Sequence, residues 1–176
     1  MQYAAIKTHD IANGPGVRVS LFVSGCTHAC PDCFNPEAWD FAYGNAFGEA
    51  QAARILQALA PEHIRGFSLL GGEPLHPCNS GDVLQIARRV HEAYPQKDIW
   101  CYTGYDFTKE LLSMAGIDPR LRTLLGLIDV LVDGRFVAAK KDLNLRFKGS
   151  ENQRIIRAKE SIQSGKLILW DGERSE

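Results

Sequence analysis

The chain has 176 residues, 20 basic against 21 acidic side chains, and a formal net charge of -1. That balance gives no argument for a nucleic-acid footprint or for a surface that binds acidic membranes, and no apolar run reaches the roughly 18 residues of a membrane span. An apolar fraction of 45% with 23% charged residues is that of a globular chain, and its length predicts one domain with room for a core.

The N-terminal stretch Met1 to Lys7 lacks a basic-then-apolar secretion signal, which predicts a cytoplasmic protein. Val17 to Val23 is rich in β-branched and aromatic residues and is expected to be a first strand, with Asn13 to Gly16 punctuating its start. A loop containing Cys26, Cys30 and Cys33 follows and runs to about Gly48. Ala52, Ile55, Leu56 and Leu59 recur at helical spacing, so a helix is expected over about 49–60, ended by Pro61. Gly66 to Leu70 reads as a buried second strand, broken by Gly71-Gly72-Glu73-Pro74. Val83, Ile86, Ala87 and Val90 predict a second helix over about 80–94, and Ile99 to Thr103 a third strand. Thr108 is placed to cap a helix carrying Leu111, Leu112 and Met114. Leu121, Leu124, Leu125 and Ile128 continue it beyond an interruption at 116–119. Asp129 to Asp133 reads as a fourth strand, 135–153 as a charged irregular segment, and Arg154–Arg157 and Lys166–Trp170 as short terminal strands.

Strands alternating with helices argue for an α/β fold on a mostly parallel sheet. Four such units are too few to close an eight-stranded barrel, so an open partial barrel is expected. In parallel sheets, sites form at the carboxyl ends of the strands. Here those positions carry the cysteines, Gly71-Gly72-Glu73-Pro74, Thr103-Gly104 and Asp133-Gly134-Arg135. Their convergence on one rim predicts one site.

Five cysteines, three of them within eight residues at Cx3Cx2C spacing, read in a reducing compartment as metal binding. Two readings fit the spacing. A structural zinc site needs four protein ligands, so His28 or another side chain would complete it. A cubane iron–sulfur cluster held by three thiolates keeps one iron open for a small molecule. Cys78 and Cys101 are expected to be packing residues, and the five histidines surface or packing residues rather than ligands.

The motifs separate the two readings. Cx3Cx2C after a first strand resembles the signature of radical S-adenosylmethionine (SAM) enzymes, and Asn13-Gly14-Pro15-Gly16-Val17-Arg18 resembles a motif of their glycyl-radical activating branch. Gly71–Pro77, Asp98–Tyr105, Val130–Phe136 and Lys148–Gln153 resemble the activators of anaerobic ribonucleoside-triphosphate reductases within that branch. The resemblance runs from about Asp10 to Ile156. It implies a single radical SAM domain over 1–176, with a core of about 10–156 and a tail of about 157–176. It implies a [4Fe-4S] cluster on Cys26, Cys30 and Cys33, with SAM at the fourth iron. Asp32, Cys33 and Phe34 are implied along the SAM adenine, and Gly71, Gly72 and Glu73 at its methionyl ammonium. Thr103, Asp133 and Arg135 are implied as further SAM or substrate contacts. The implied activity is that of an oxidoreductase: a 5′-deoxyadenosyl radical takes a hydrogen atom from a glycine of the large reductase subunit. The implied electron donor is reduced flavodoxin or a similar carrier. The Asn13–Arg18 motif is expected near the docking face of the protein substrate. The alternatives are an activator aimed at another glycyl-radical enzyme, such as pyruvate formate-lyase, and a zinc- or cluster-bearing module without catalysis.

Overall fold

A computed structural model describes residues 1–172. The chain runs β1 (Gln2–Asp10), β2 (Val17–Val23), β3 (Asn45–Ala46), α1 (Glu49–Leu59), β4 (Ile64–Gly71), α2 (Pro77–Ala93) and β5 (Asp98–Tyr102). A π-turn (Phe107–Leu111) then leads into α3 (Leu112–Ile117), α4 (Pro119–Leu127), β6 (Val130–Asp133), β7 (Arg154–Arg157) and α5 (Ala158–Ser164). The strands form one seven-stranded sheet in the order β3-β1-β2-β4-β5-β6-β7. β2, β4, β5 and β6 are mutually parallel, while β1, β3 and β7 attach antiparallel at the two sides. The sheet is open, with β3 and β7 at its ends.

The period of two sorts each strand into two faces. Val19, Leu21, Val23, Phe67, Leu69, Ile99, Cys101 and Leu131 join the main core with Ile55, Leu59, Val83, Ile86, Val90 and Leu124 of the helices. Alternate residues on the other face include Arg18, Ser68, Trp100, Val130 and Val132. There Trp100 stacks edge-on against Phe147 and Trp170, with ring centres 5.5 and 5.3 Å away.

Several expectations need correcting. β1 was not foreseen; its residues alternate too weakly to read as a strand, and pairing to β2 forms it. α2 begins at Pro77 rather than near 80, because proline at the first helical position and the His76 ring, which accepts from the Cys78 N–H, start the helix earlier. Asp106, not Thr108, caps the next helical segment, its Oδ1 accepting from the N–H groups of Thr108 and Lys109 at 2.9 and 2.8 Å. Lys166–Trp170 is no strand; it meets β7 through a single Ile156–Leu169 bridge, and the unforeseen α5 intervenes. The expected tail extends beyond the described residues at 173–176. Cys101 is buried as expected, but Cys78 is exposed on the first turn of α2 and packs no core. Arg18 is fully buried, so it offers nothing to a docking face. Its guanidinium pairs with Asp98 Oδ1 at 2.7 Å, and it donates to Ser68 Oγ at 2.7 Å and to the Phe67 carbonyl at 3.0 Å.

Candidate iron–sulfur site

The cysteine loop leaves β2 where β2 lies beside the end of β4, with Val23 opposite Gly71. Cys30-Pro31-Asp32-Cys33 closes a tight turn, the Cys33 N–H reaching the Cys30 carbonyl at 3.1 Å. Proline at its second position and a residue with positive φ at its third, Asp32 at +57°, are the requirements of a type II turn. Aspartate tolerates that left-handed conformation better than most side chains. The turn therefore accounts for Asp32 locally, as the residue that brings two cysteines to one side. Ala29, at φ +46°, makes a second left-handed bend between Cys26 and Cys30.

All three thiols are free and half-buried. Backbone amides surround them: the Asn35 N–H lies 3.5 Å from Cys33 Sγ, and those of His28 and Ala29 act on the Cys26 sulfur. Burial pushes the Cys26 thiol up to about 11 against those amides, with nearby Glu73 adding to the rise. Such a thiol yields its proton to a strong positive charge such as iron. Half-buried thiols on one loop with N–H groups aimed at their sulfurs fit an iron–sulfur cluster, whose sulfurs accept such bonds. Among the described residues, no three His, Cys, Asp or Glu side chains converge on a single-ion site. A cubane takes each thiolate on a different iron and does not need that convergence.

The loop after β4 abuts this loop. Gly71 adopts φ +107° beside the Val23 backbone, and a Cβ on Gly72 would lie 2.6 Å from the Gly25 carbonyl oxygen and 2.9 Å from that of Ala38. Only glycine permits this approach, and it lets Gly72 N–H reach Val23 O at 2.7 Å and Glu73 N–H reach Gly25 O at 2.8 Å. Asn79, buried in the first turn of α2, donates to the Ser24, Gly25 and Glu73 carbonyls at 3.0, 3.3 and 3.0 Å.

Glu73 is completely buried. Its Oε1 accepts from Thr103 Oγ1 at 2.9 Å and Leu75 N–H at 3.0 Å, and its Oε2 from Gly104 N–H at 2.8 Å. His28 Nε2 lies 2.9 Å from the same Oε2. One carboxylate thus joins the loops after β2, β4 and β5. His28 is engaged at both ring nitrogens, since Arg135 Nε approaches its Nδ1 at 3.3 Å. Thr103 in turn receives the Tyr105 N–H at 3.1 Å.

Asp133 ends β6, buried, accepting the Phe107 N–H at 2.8 Å and a two-pronged contact from Arg154 Nε and Nη2. Phe34 is 62% exposed and leans on Phe136, with ring centres 5.2 Å apart, while Lys141 Nζ lies 5.2 Å from its ring centre. The fold thus brings Cys26, Cys30, Cys33, Asp32 and Phe34 onto one loop and Gly71, Gly72, Glu73 and Thr103 into contact with it. Asp133 is linked to the same rim through the Tyr105–Phe107 segment. Reading the sequence missed Asn79 and Arg154, and missed what His28 and Gly104 do. An asparagine just ahead of the expected helix start near Ser80 was the one available signal for Asn79.

An open α/β sheet with three thiols on the loop at the carboxyl end of β2 is the frame of an iron–sulfur protein. Accordingly, residues 12–156 match the family described as "4Fe-4S single cluster domain". The relatives carry a narrower name, anaerobic ribonucleoside-triphosphate reductase-activating protein. That of Pasteurella multocida is 44% identical over 159 residues, covering 89% of this chain and 98% of its own. That of Escherichia coli K12 is 41% identical over 155 residues, covering 87% and 96%. The phage T4 protein is 35% identical over 157 residues, covering 88% and 93%. The chain belongs to this family of activating proteins. No helix among the described residues is long and apolar enough to cross a membrane.

Proposed function

We propose that this chain is a radical SAM enzyme that activates the anaerobic ribonucleoside-triphosphate reductase by installing a glycyl radical, its open sheet serving as a partial (βα) barrel. The observation that carries the reading is the three-cysteine loop, folded through the Pro31–Asp32 turn against Gly71 and Gly72. When bound, a [4Fe-4S] cluster and SAM supply a 5′-deoxyadenosyl radical that takes a hydrogen atom from a glycine of the reductase large subunit.

Cys26, Cys30 and Cys33 would hold the cluster, and three ligands leave one iron for SAM. The amide of Asn35 stabilises the Cys33 thiolate. Gly71 and Gly72, whose missing side chains let the loop after β4 lie directly on the cysteine loop, would hold that backbone at the methionyl end of SAM. Asp32, Cys33 and Phe34 would flank the adenine, and Phe136 backs the Phe34 ring. Glu73 has its oxygens filled by protein donors, so it serves SAM by fixing Thr103, Gly104 and His28 around it. Asp133 acts in the same way by fixing Phe107 N–H and Arg154. These residues orient reactants and keep water out, which is the protein's part in cofactor chemistry. The single domain works in the cytoplasm, with reduced flavodoxin or a similar carrier as donor.

The test is to reconstitute the chain anaerobically with iron and sulfide, reduce it, add SAM, and mix it with the reductase or with pyruvate formate-lyase. A glycyl doublet in the paramagnetic resonance spectrum with the reductase alone is expected. A doublet with the formate-lyase alone overturns the choice of partner, and zinc without iron and sulfide overturns the enzyme reading.

A further inference from the structure

The segment between β6 and β7 forms a strap over the cysteine loop. Arg135, Lys140, Lys141, Arg146 and Lys148 fall within it, with Asp142 as the one acid between Arg135 and Lys148. In a chain of net charge -1, that is a marked local concentration of positive charge. Among the described residues, Lys140, Lys141 and Arg146 take part in no ion pair. Asp142 does not neutralise them, since its Oδ1 accepts instead from the Asn144 backbone and side-chain amides at 2.8 and 2.9 Å.

The strap is held in place. Gln153 Oε1 accepts from the Gly149 and Ser150 N–H groups at 2.8 and 3.2 Å, and its Nε2 donates to the Gly134 carbonyl at 2.9 Å. Lys148 Nζ closes on the Gln153 carbonyl at 3.0 Å. The strap lies directly on the cysteine loop, through Lys141 over Phe34, Phe136 against Phe34, and Arg135 on His28. Two apolar side chains stand out among the cations, Leu143 at 85% and Val137 at 36% exposure. Unpaired cations around exposed apolar side chains on a fixed backbone have the make-up of a protein-docking patch: charge steers the encounter and apolar anchors hold it.

We propose that this strap is the docking surface for an acidic one-electron carrier protein, placed so that its redox centre faces the cysteine loop. The inference rests on the cluster assignment above. The step transfers one electron: the reduced flavin of the carrier gives it up with no accompanying proton, and the oxidised cluster takes it. Opposite charge on the two surfaces raises the encounter rate, and salt removes that gain.

The experiment uses the full chain and a reduced flavodoxin as probe, with two readouts: flavodoxin binding by surface plasmon resonance, and the stopped-flow rate of cluster reduction. The variant is Lys140→Glu with Arg146→Glu. Lys141 is left in place because it covers Phe34. The control, Arg54→Glu with Arg88→Glu, makes the same charge change on the exposed surface of α1 and α2. Expected are a loss of about tenfold or more in flavodoxin affinity and rate at low salt for the strap variant, little change for the control, and unchanged reduction by titanium(III) citrate. Equal losses in both variants would mean that net charge alone acts, and would overturn the inference. So would weakened binding of the reductase with flavodoxin binding intact, which would make the strap the reductase's surface. Failure of titanium(III) citrate to support SAM cleavage in the unaltered chain counts against the cluster reading instead, and the binding measurement still decides the docking surface.

Discussion

Changing Glu73 to glutamine isolates what this carboxylate does. Four protein donors converge on it: Thr103 Oγ1 and Leu75 N–H on one oxygen, His28 Nε2 and Gly104 N–H on the other. In Glu73→Gln one oxygen becomes an NH2 group. Turned to one side it faces the Leu75 N–H, and turned to the other it faces the Gly104 N–H. The Thr103 hydroxyl can rotate and the His28 ring can change tautomer, but a backbone amide cannot cease to donate. Either orientation therefore sets donor against donor at a site with no exposure to water. A buried donor left unmatched costs about 1–3 kcal/mol. At about 2–4 °C per kcal/mol for a chain of this size, the midpoint should fall by roughly 2–12 °C. The assay is thermal unfolding of the metal-free chain by far-ultraviolet circular dichroism. A midpoint within about 1 °C of the unaltered chain, combined with weaker SAM binding, would refute the reasoning. It would make Glu73 a direct ligand contact instead of a brace.

Other perturbations test separate parts of the structure. Cys30→Ala should give a folded chain that binds less iron and sulfide and no longer cleaves SAM; full cleavage would remove Cys30 from the ligand set. Gly72→Ala drives a methyl to 2.6 Å from the Gly25 carbonyl oxygen, so it should cost about 1–3 kcal/mol in urea unfolding and weaken SAM binding as the two loops part. Arg18→Ala removes a fully buried guanidinium paired to Asp98 and should cost about 3–5 kcal/mol, read from the denaturation midpoint. Asp10 is the handle on acid stability. Burial pushes its carboxyl up, but the nearby Ser20 hydroxyl and hydrogen bonds from Asn13 Nδ2 and the Ala12 N–H outweigh it, and the group sits below its usual 3.8. A lowered carboxyl stabilises the fold above its unfolded value and loses that contribution as pH falls through the folded one. Asp10→Asn should therefore flatten the stability curve below about pH 4, and an unchanged acid limb in titrated unfolding would count against it.

The parts of the fold that were legible in the sequence are those whose pattern is set by burial. β2, β4, β5 and β6 are apolar runs bounded by glycine or proline, and α1 and α2 carry apolar residues at helical spacing. β1 and α5 were not legible, because pairing and packing create them: Lys7 and Thr8 sit on β1 with little alternation to mark a buried face. The candidate site was legible at its cysteines and glycines, whose chemistry and spacing are unusual. The roles of its polar residues were not. Glu73, Thr103 and Asp133 looked like groups for a ligand, yet each is turned into protein, and the partners that turn them come mostly from distant stretches of chain: Glu73 and Thr103 hold each other across 30 residues, Gly104 lies 31 residues from Glu73, and Arg154 lies 21 from Asp133. Arg18 misled for the same reason, since Asp98, which draws it inward, lies 80 residues away.

The Glu73 brace has a bearing on how the protein survives oxygen. Small zinc domains unravel when their metal leaves, because the ion is their only tie. Here three loops of the rim are tied by a carboxylate that needs no metal. On the cluster reading proposed above, a molecule emptied by oxygen would keep the shape of its cradle, and refilling with iron and sulfide would restore it without a new chain.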